Sequence, residues 1–199
     1  MKLWKRWTAA VLAAAMVLLL LAACGPSGPS APDTPDKPGS SETGKDPENE
    51  KTEAQKVAAV VEALNTVRKS YGNETPLELN EQACAIAKEM AQVQLDGVNG
   101  KYGKNPRTNT DYIDACAKVR NKEVDKKTSI GVGALQGTYP DVNQFEKWAV
   151  KTEGASAERN NKLVKRKEAT LVGVGVVQNT DPATMKDIPF MVVVMTYGV

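Results

Sequence analysis

The chain contains no histidine, and that absence removes more chemistry than any motif adds. Histidine-dependent catalytic triads are excluded, and a two-histidine zinc centre has no imidazole nitrogens to fix its geometry. Acid–base work would fall to carboxylates. Asp141, Glu153 and Glu158 lie in one stretch, but no defined spacing pairs them, and surface carboxylates are usually only solvated. Gly131-Val132-Gly133 and Gly173-Val174-Gly175 do not continue into a glycine turn with a lysine and a hydroxyl residue, so neither is a nucleotide loop. Close packing of strands against their neighbours is the reading for both. The remaining reactive side chains are three cysteines, Cys24, Cys84 and Cys116.

Cys24 sits where a thiol is of use to an export pathway. Lys2, Lys5 and Arg6 form a positive start, and Thr8 to Ala23 carries no charge. That apolar run falls short of the roughly 20 residues of a bilayer-spanning helix and fits a secretory leader. Leu21-Ala22-Ala23-Cys24 resembles the lipobox of bacterial lipoproteins. The resemblance implies cleavage before Cys24 and a diacylglyceryl group, with palmitate-like acyl chains, on its sulfur. Two acyl chains hold a protein stably at a membrane. Residues 1–23 are therefore expected to be a signal peptide, and 24–51 the lipidated cysteine with a linker. The prolines at 26, 29, 32, 35, 38 and 47 keep that linker extended. The protein is expected outside the cytoplasm, held to the bacterial cell membrane by its N-terminal lipid.

Residues 52–199 have the length of one domain with a real core. Without Lys2, Lys5 and Arg6 the chain has 23 basic against 24 acidic residues, where the whole has 26 against 24. No net basic field argues for nucleic acid, and the cluster Lys162 to Lys167 reads as a solvated loop before a strand. With Cys24 consumed by lipid, Cys84 and Cys116 form an even pair in an exported compartment. They could bridge two helices or remain small buried thiols.

The elements that must position any site follow from periodicity. Val57, Val60, Val61, Leu64 and Val67 predict a helix over Ala54–Ser70, stopped at Tyr71-Gly72. Asn80 can cap a second helix running to about Gln94, with Ala83, Ala87, Met90 and Ala91 on one face. Asp96 to Thr110 reads as loop, Asp111 to Val119 as a short helix, and Ser129 to Gly137 as a strand or extended loop. Asp141 can cap a third main helix along which Val142, Phe145 and Trp148 align. Valine-rich strands at Leu171–Gln178 and Pro189–Tyr197 close the chain. The fold class expected is α/β, a three-layer α-β-α sandwich with helices packed on a mostly antiparallel sheet.

The order of these elements and several local motifs resemble the CAP superfamily, also called the SCP domain, from about Ala54 to the end. Leu64-Asn65-Thr66-Val67-Arg68 is similar to the family's Leu-Asn-x-x-Arg, and Pro76-Leu77-Glu78-Leu79-Asn80 to its Pro-Leu-x-Trp-Asp. Trp148 stands where the family has a helix tryptophan. Glu158-Arg159-Asn160-Asn161-Lys162-Leu163 resembles His-Arg-x-Asn-x-Leu, and Leu171 to Val176 the Gly-Val-Gly strand that follows. The lysine-rich Lys118 to Lys127 matches nothing in the pattern.

The departures bear most on function. The resemblance implies a cleft of two histidines and two acidic residues that in many members binds a divalent metal. Here Glu158 stands for one histidine and Val132 for an acidic residue, while Asp96 to Thr110 offers Asn, Lys and Tyr for the other histidine. The candidate cleft is thus Glu158, Val132, Arg159 and Gln136, with no metal and no cofactor. The expectation is a non-catalytic binding module at the cell envelope, taking a hydrophobic molecule, a peptide, a wall polymer or another protein. The alternative is a hydrolase of wall or protein that uses carboxylates in the cleft.

Overall fold

The computed structural model describes residues 51–150 and 154–199. The leader, Cys24, nearly all of the linker, and Glu153 lie outside the described residues. Helix α1 (Glu53–Ser70) opens on a capping box: the Thr52 hydroxyl accepts from the Gln55 amide, and the Gln55 side chain accepts from the Thr52 amide. It ends as expected at Tyr71, with Gly72 at φ 78°. A two-residue strand β1 (Glu78–Leu79) leads to α2 (Glu81–Val98), whose cap is the expected Asn80 accepting from Ala83 N at 3.0 Å. After a 3-10 turn (Pro106–Thr108), α3 (Thr110–Arg120) precedes β2 (Thr128–Gln136). Helices α4 (Val142–Val150) and α5 (Gly154–Lys165) follow, then the strands β3 (Ala169–Gln178) and β4 (Phe190–Gly198).

Among the described residues the sheet has strand order β1-β3-β4-β2. Only the β1–β3 pair is parallel; β3–β4 and β2–β4 are antiparallel. Alternation along the strands builds two cores. Val172, Val174, Val192 and Val194 face α1, α4 and α5. Leu171, Met191, Val193, Met195 and Tyr197 face α2 and α3. This is the expected layering of helices on both faces of a mostly antiparallel sheet.

The glycine pairs act by subtraction. A Cβ on Gly175 would lie 2.1 Å from Lys88 N, so only a bare backbone lets α2 rest on β3. On β2, a Cβ at Gly133 would fall 2.4 Å from the Trp148 ring, and the missing methyl admits that indole.

Two sequence expectations are corrected. Helix α2 runs past Gln94 to Val98, because Leu95 continues the buried stripe of Ala87, Met90 and Ala91 at helical spacing. The loop expected from Asp96 is thereby shortened, and its 106–108 part is a 3-10 turn. The basic cluster is not loop up to Lys165. Leu163 and Val164, both 0% exposed, draw this stretch into α5 and leave Lys162 and Lys165 on its outer side. The lysine-rich stretch from Lys118 completes α3 and then turns tightly, with Asp125 and Lys126 at φ 49° and 63° between bridged Val124 and Lys127. Val124 is fully buried and pins that turn to the α2 side of the sheet.

Two polar residues of the first helix hold the frame. The Asn65 amide donates to Leu77 O at 3.1 Å and accepts from Leu77 N at 2.8 Å, fastening the chain before β1. Arg68, 1% exposed, donates to Val164 O, Arg166 O and Ala169 O, gathering the end of α5 and the start of β3 onto α1. Burial lowers its pKa from the ordinary guanidinium range, with Glu168 opposing.

Candidate functional site

Strand β2 is an edge, and a cavity of about 520 Å³ opens across it. Val132 and Ala134 line it from one face of β2 and Leu135 from the other, with Met90 and Gln94 of α2 at one side. Tyr112, Ile113, Cys116 and Arg120 of α3 make the wall, with Arg107 from the 3-10 turn at one end. Across β2 the cavity reaches Gln144 and Trp148 of α4 and Arg159 and Asn160 of α5. A volume of this size suits a small molecule, since ligand cavities commonly span about 300–1,000 Å³.

The wall on α3 is made by four-residue spacing: Tyr112, Cys116 and Arg120 fall on one face of the helix. The Tyr112 hydroxyl donates to Gln94 Oε1 at 3.1 Å, joining α3 to α2. Burial raises the Tyr112 phenol to about 12, while Arg107 and Arg159 pull it down. Burial likewise pushes the Cys116 thiol up, against its hydrogen bond to Tyr112 and the charges of Arg120 and Arg159. Arg159 therefore acts on both side chains, Arg107 on Tyr112 and Arg120 on Cys116.

Of the four cleft residues expected from sequence, the structure brings two together. Val132 and Arg159 both line the cavity. Glu158 does not. Its side chain is 71% exposed and pairs with Lys162 one turn on at 2.5 Å, because adjacent positions on a helix face about 100° apart. Gln136 shares a strand face with Val132 and Ala134 but lies at the exposed end of β2, beyond the cavity. Asp141 is a helix cap, its Oδ1 accepting from Gln144 N at 2.9 Å. The paired-thiol alternative is also corrected: Cys84 and Cys116 are both free. Cys84 Sγ accepts from Val174 N on β3 at 3.4 Å, whereas Cys116 faces the cavity.

The residues missed from sequence were Arg107, Arg120, Tyr112 and Gln94. The four-residue spacing on α3 was a usable signal for two of them. Arg107 carried none, because it lies in a segment that reads as connecting loop.

A divalent metal, implied by the family resemblance, does not fit this cavity. Three arginines border it, no acidic side chain lines it among the described residues, and its soft donors are the Cys116 thiol and the Met90 thioether. Nowhere among the described residues do three His, Cys, Asp or Glu side chains gather as ligands.

No family model matches the chain, and no curated protein matches it. Among solved structures, the chain is similar to a crystal structure of MpPR-1i soaked with selenourea, a pathogenesis-related (PR-1) protein of the CAP superfamily. Identity is 15% over 69% of this chain and 85% of that one, at a TM-score of 0.38. A likeness that slight assigns no role to any residue here.

Proposed function

We propose that this chain is an extracytoplasmic lipoprotein, anchored through Cys24, whose CAP-like domain is a non-catalytic binding module of the bacterial cell envelope. The observation that carries the reading is the make-up of the cavity over β2. It offers cationic and amide donors and apolar side chains, and no described side chain lining it is a general base near neutral pH. Of the candidate carboxylates, the two among the described residues are used otherwise: Glu158 pairs with Lys162 outside the cavity, and Asp141 caps a helix. The whole sequence supplies no imidazole to replace them. The anchor is supported by the basic start, the uncharged run and the small residues before Cys24. Among the described residues no helix is long and apolar enough to cross a membrane.

Two measurements test this reading. Cells grown with labelled palmitate should yield labelled protein in the membrane fraction, and Cys24→Ala should lose both the label and the attachment. Unchanged labelling of Cys24→Ala overturns the anchor. Incubated with cell-wall fragments, the protein should retain them without releasing soluble product. Sustained release that disappears in Glu158→Ala, with the fold intact, makes the protein a carboxylate hydrolase instead.

A further inference from the structure

We propose that Asn99 is a latent deamidation site, guarded by a closed ring of hydrogen bonds that ties the end of α2 to the β3–β4 connection. Of all the asparagines in the sequence, Asn99 alone is followed by glycine. The site is independent of what the cavity binds.

The chemistry starts at Gly100. When its backbone amide gives up its proton to solvent, the nitrogen attacks Cγ of the Asn99 side chain. A Cγ–N bond forms, the Cγ–Nδ2 bond breaks, and Nδ2 leaves as ammonia with a proton from solvent. The five-membered succinimide then takes up water at either carbonyl and opens to aspartate or isoaspartate. Nothing is oxidised or reduced. Glycine favours the attack because it has no Cβ to crowd the approach. Beyond its chain neighbours, no atom lies within 4 Å of where a Cβ on Gly100 would stand.

The fold opposes this reaction at three points. Asn99 caps α2 with ψ at 7°, which keeps Gly100 N away from the Asn99 Cβ, and the succinimide closes only when that nitrogen swings to the Cβ side. The Gly100 N–H is itself engaged, donating to Gly97 O at 3.3 Å. The side-chain amide is held at both ends. Its Nδ2 donates to Asn179 Oδ1 at 3.0 Å, and its Oδ1 accepts from Thr184 Oγ1 at 2.6 Å. Asn179 Nδ2 donates to Thr184 Oγ1 at 2.9 Å and closes the ring.

The ring is anchored in the fold. Asn179, 2% exposed, also donates to Ile188 O and accepts from Asp181 N. Deamidation removes what the ring depends on. A carboxylate at position 99 has no proton to donate and faces Asn179 Oδ1, which is also an acceptor. Losing that bond and setting two oxygens against each other frees the 179–189 connection from α2. The conversion is one-way and leaves the connection loosened.

Peptide mapping that separates aspartate from isoaspartate tests the assignment on the full chain, kept in buffers from neutral to alkaline pH. A synthetic peptide of residues 98–104 is the unguarded reference. Asn99 in the wild type should convert about tenfold or more slowly than in the peptide, because attack waits for local opening. The rate should rise with pH, since the Gly100 nitrogen must lose its proton. Thr184→Val removes one member of the ring and should convert about fivefold faster than wild type, the weight of one hydrogen bond. Thr184→Ala serves in its place where Thr184→Val does not fold. Thr184→Ser keeps the hydroxyl and should match the wild type. Asn99→Asp installs the product directly and should raise hydrogen exchange over residues 179–189.

Conversion of the wild type as fast as the peptide overturns the guard. Equal rates in Thr184→Val and wild type overturn it as well. Equal acceleration by Thr184→Ser reduces the effect to general loosening and sinks the ring. Conversion at Asn73 or Asn121 ahead of Asn99 in Thr184→Val overturns the choice of site. Unchanged exchange over 179–189 in Asn99→Asp breaks the link between the site and the connection.

Discussion

Arg68 and Arg159 place the same guanidinium in two opposite settings. Arg68 is sealed at the junction of α1, α5 and β3, with Val164 O, Arg166 O and Ala169 O as acceptors. Arg159 lies on the exposed side of α5, at the mouth of a cavity shared with Arg107 and Arg120. The first arginine meets fixed backbone acceptors and serves the fold. The second lines the cavity with two other exposed arginines and stands outside the sealed frame. Residue type thus says little about role; what the fork faces decides it.

The largest effect should come from breaking the sealed side of this comparison. Arg68→Met removes the donors and strands buried carbonyls, and should lower unfolding free energy by about 3 kcal/mol or more in urea titrations. Arg68→Lys should recover only part of that loss, since an ammonium cannot span the three acceptors as a fork does. On the open side, Arg159→Gln should shift stability by less than about 0.5 kcal/mol. An Arg159→Gln loss matching that of Arg68→Met would erase the distinction.

The smallest effect concerns the next residue along α5. The hydrogen bond and charge of Lys162 lower the Glu158 carboxyl below its ordinary 4.5. A carboxyl whose folded pKa is depressed adds stability that is present above the unfolded pKa and fades as pH falls through the folded one. The exposed pair is screened by water, so the wild-type advantage over Glu158→Gln should be slight at neutral pH. It should vanish as pH drops below about 4.5. An advantage that grows on acidification would contradict this pairing. A large neutral-pH loss would place Glu158 among the structural residues beside Arg68.

Much of the frame was legible because its signals are local. Asn80 and Asp141 cap the helices they were expected to cap, and Gly72 ends α1. The valine alternation at the end of the chain gave β3 and β4. Helix α5 was illegible because its buried apolar residues, among those described, are Ala157, Leu163 and Val164 amid charged and amide residues, and burial against β2 supplies what propensity does not. At the site, Val132 and Arg159 were within reach of motif reasoning. Glu158 was misplaced because a motif fixes order along the chain and leaves open which side of a helix faces inward. Gln136 was misplaced because strand alternation gives the face and leaves open where the cavity stops.

From the residues alone came the lack of any imidazole, the uncharged run that ends before Cys24, and the succession of helices and strands. These follow from composition and from periodicities of two and 3.6, which need no partner to be read. The meeting of Arg107, Arg120 and Arg159, the separation of Cys84 from Cys116 as free thiols, and the cavity itself were decided in three dimensions. Each depends on how closely α2, α3 and α5 approach the sheet, and that distance is set by side chains far apart in sequence and by the bare glycines that let helix and strand touch.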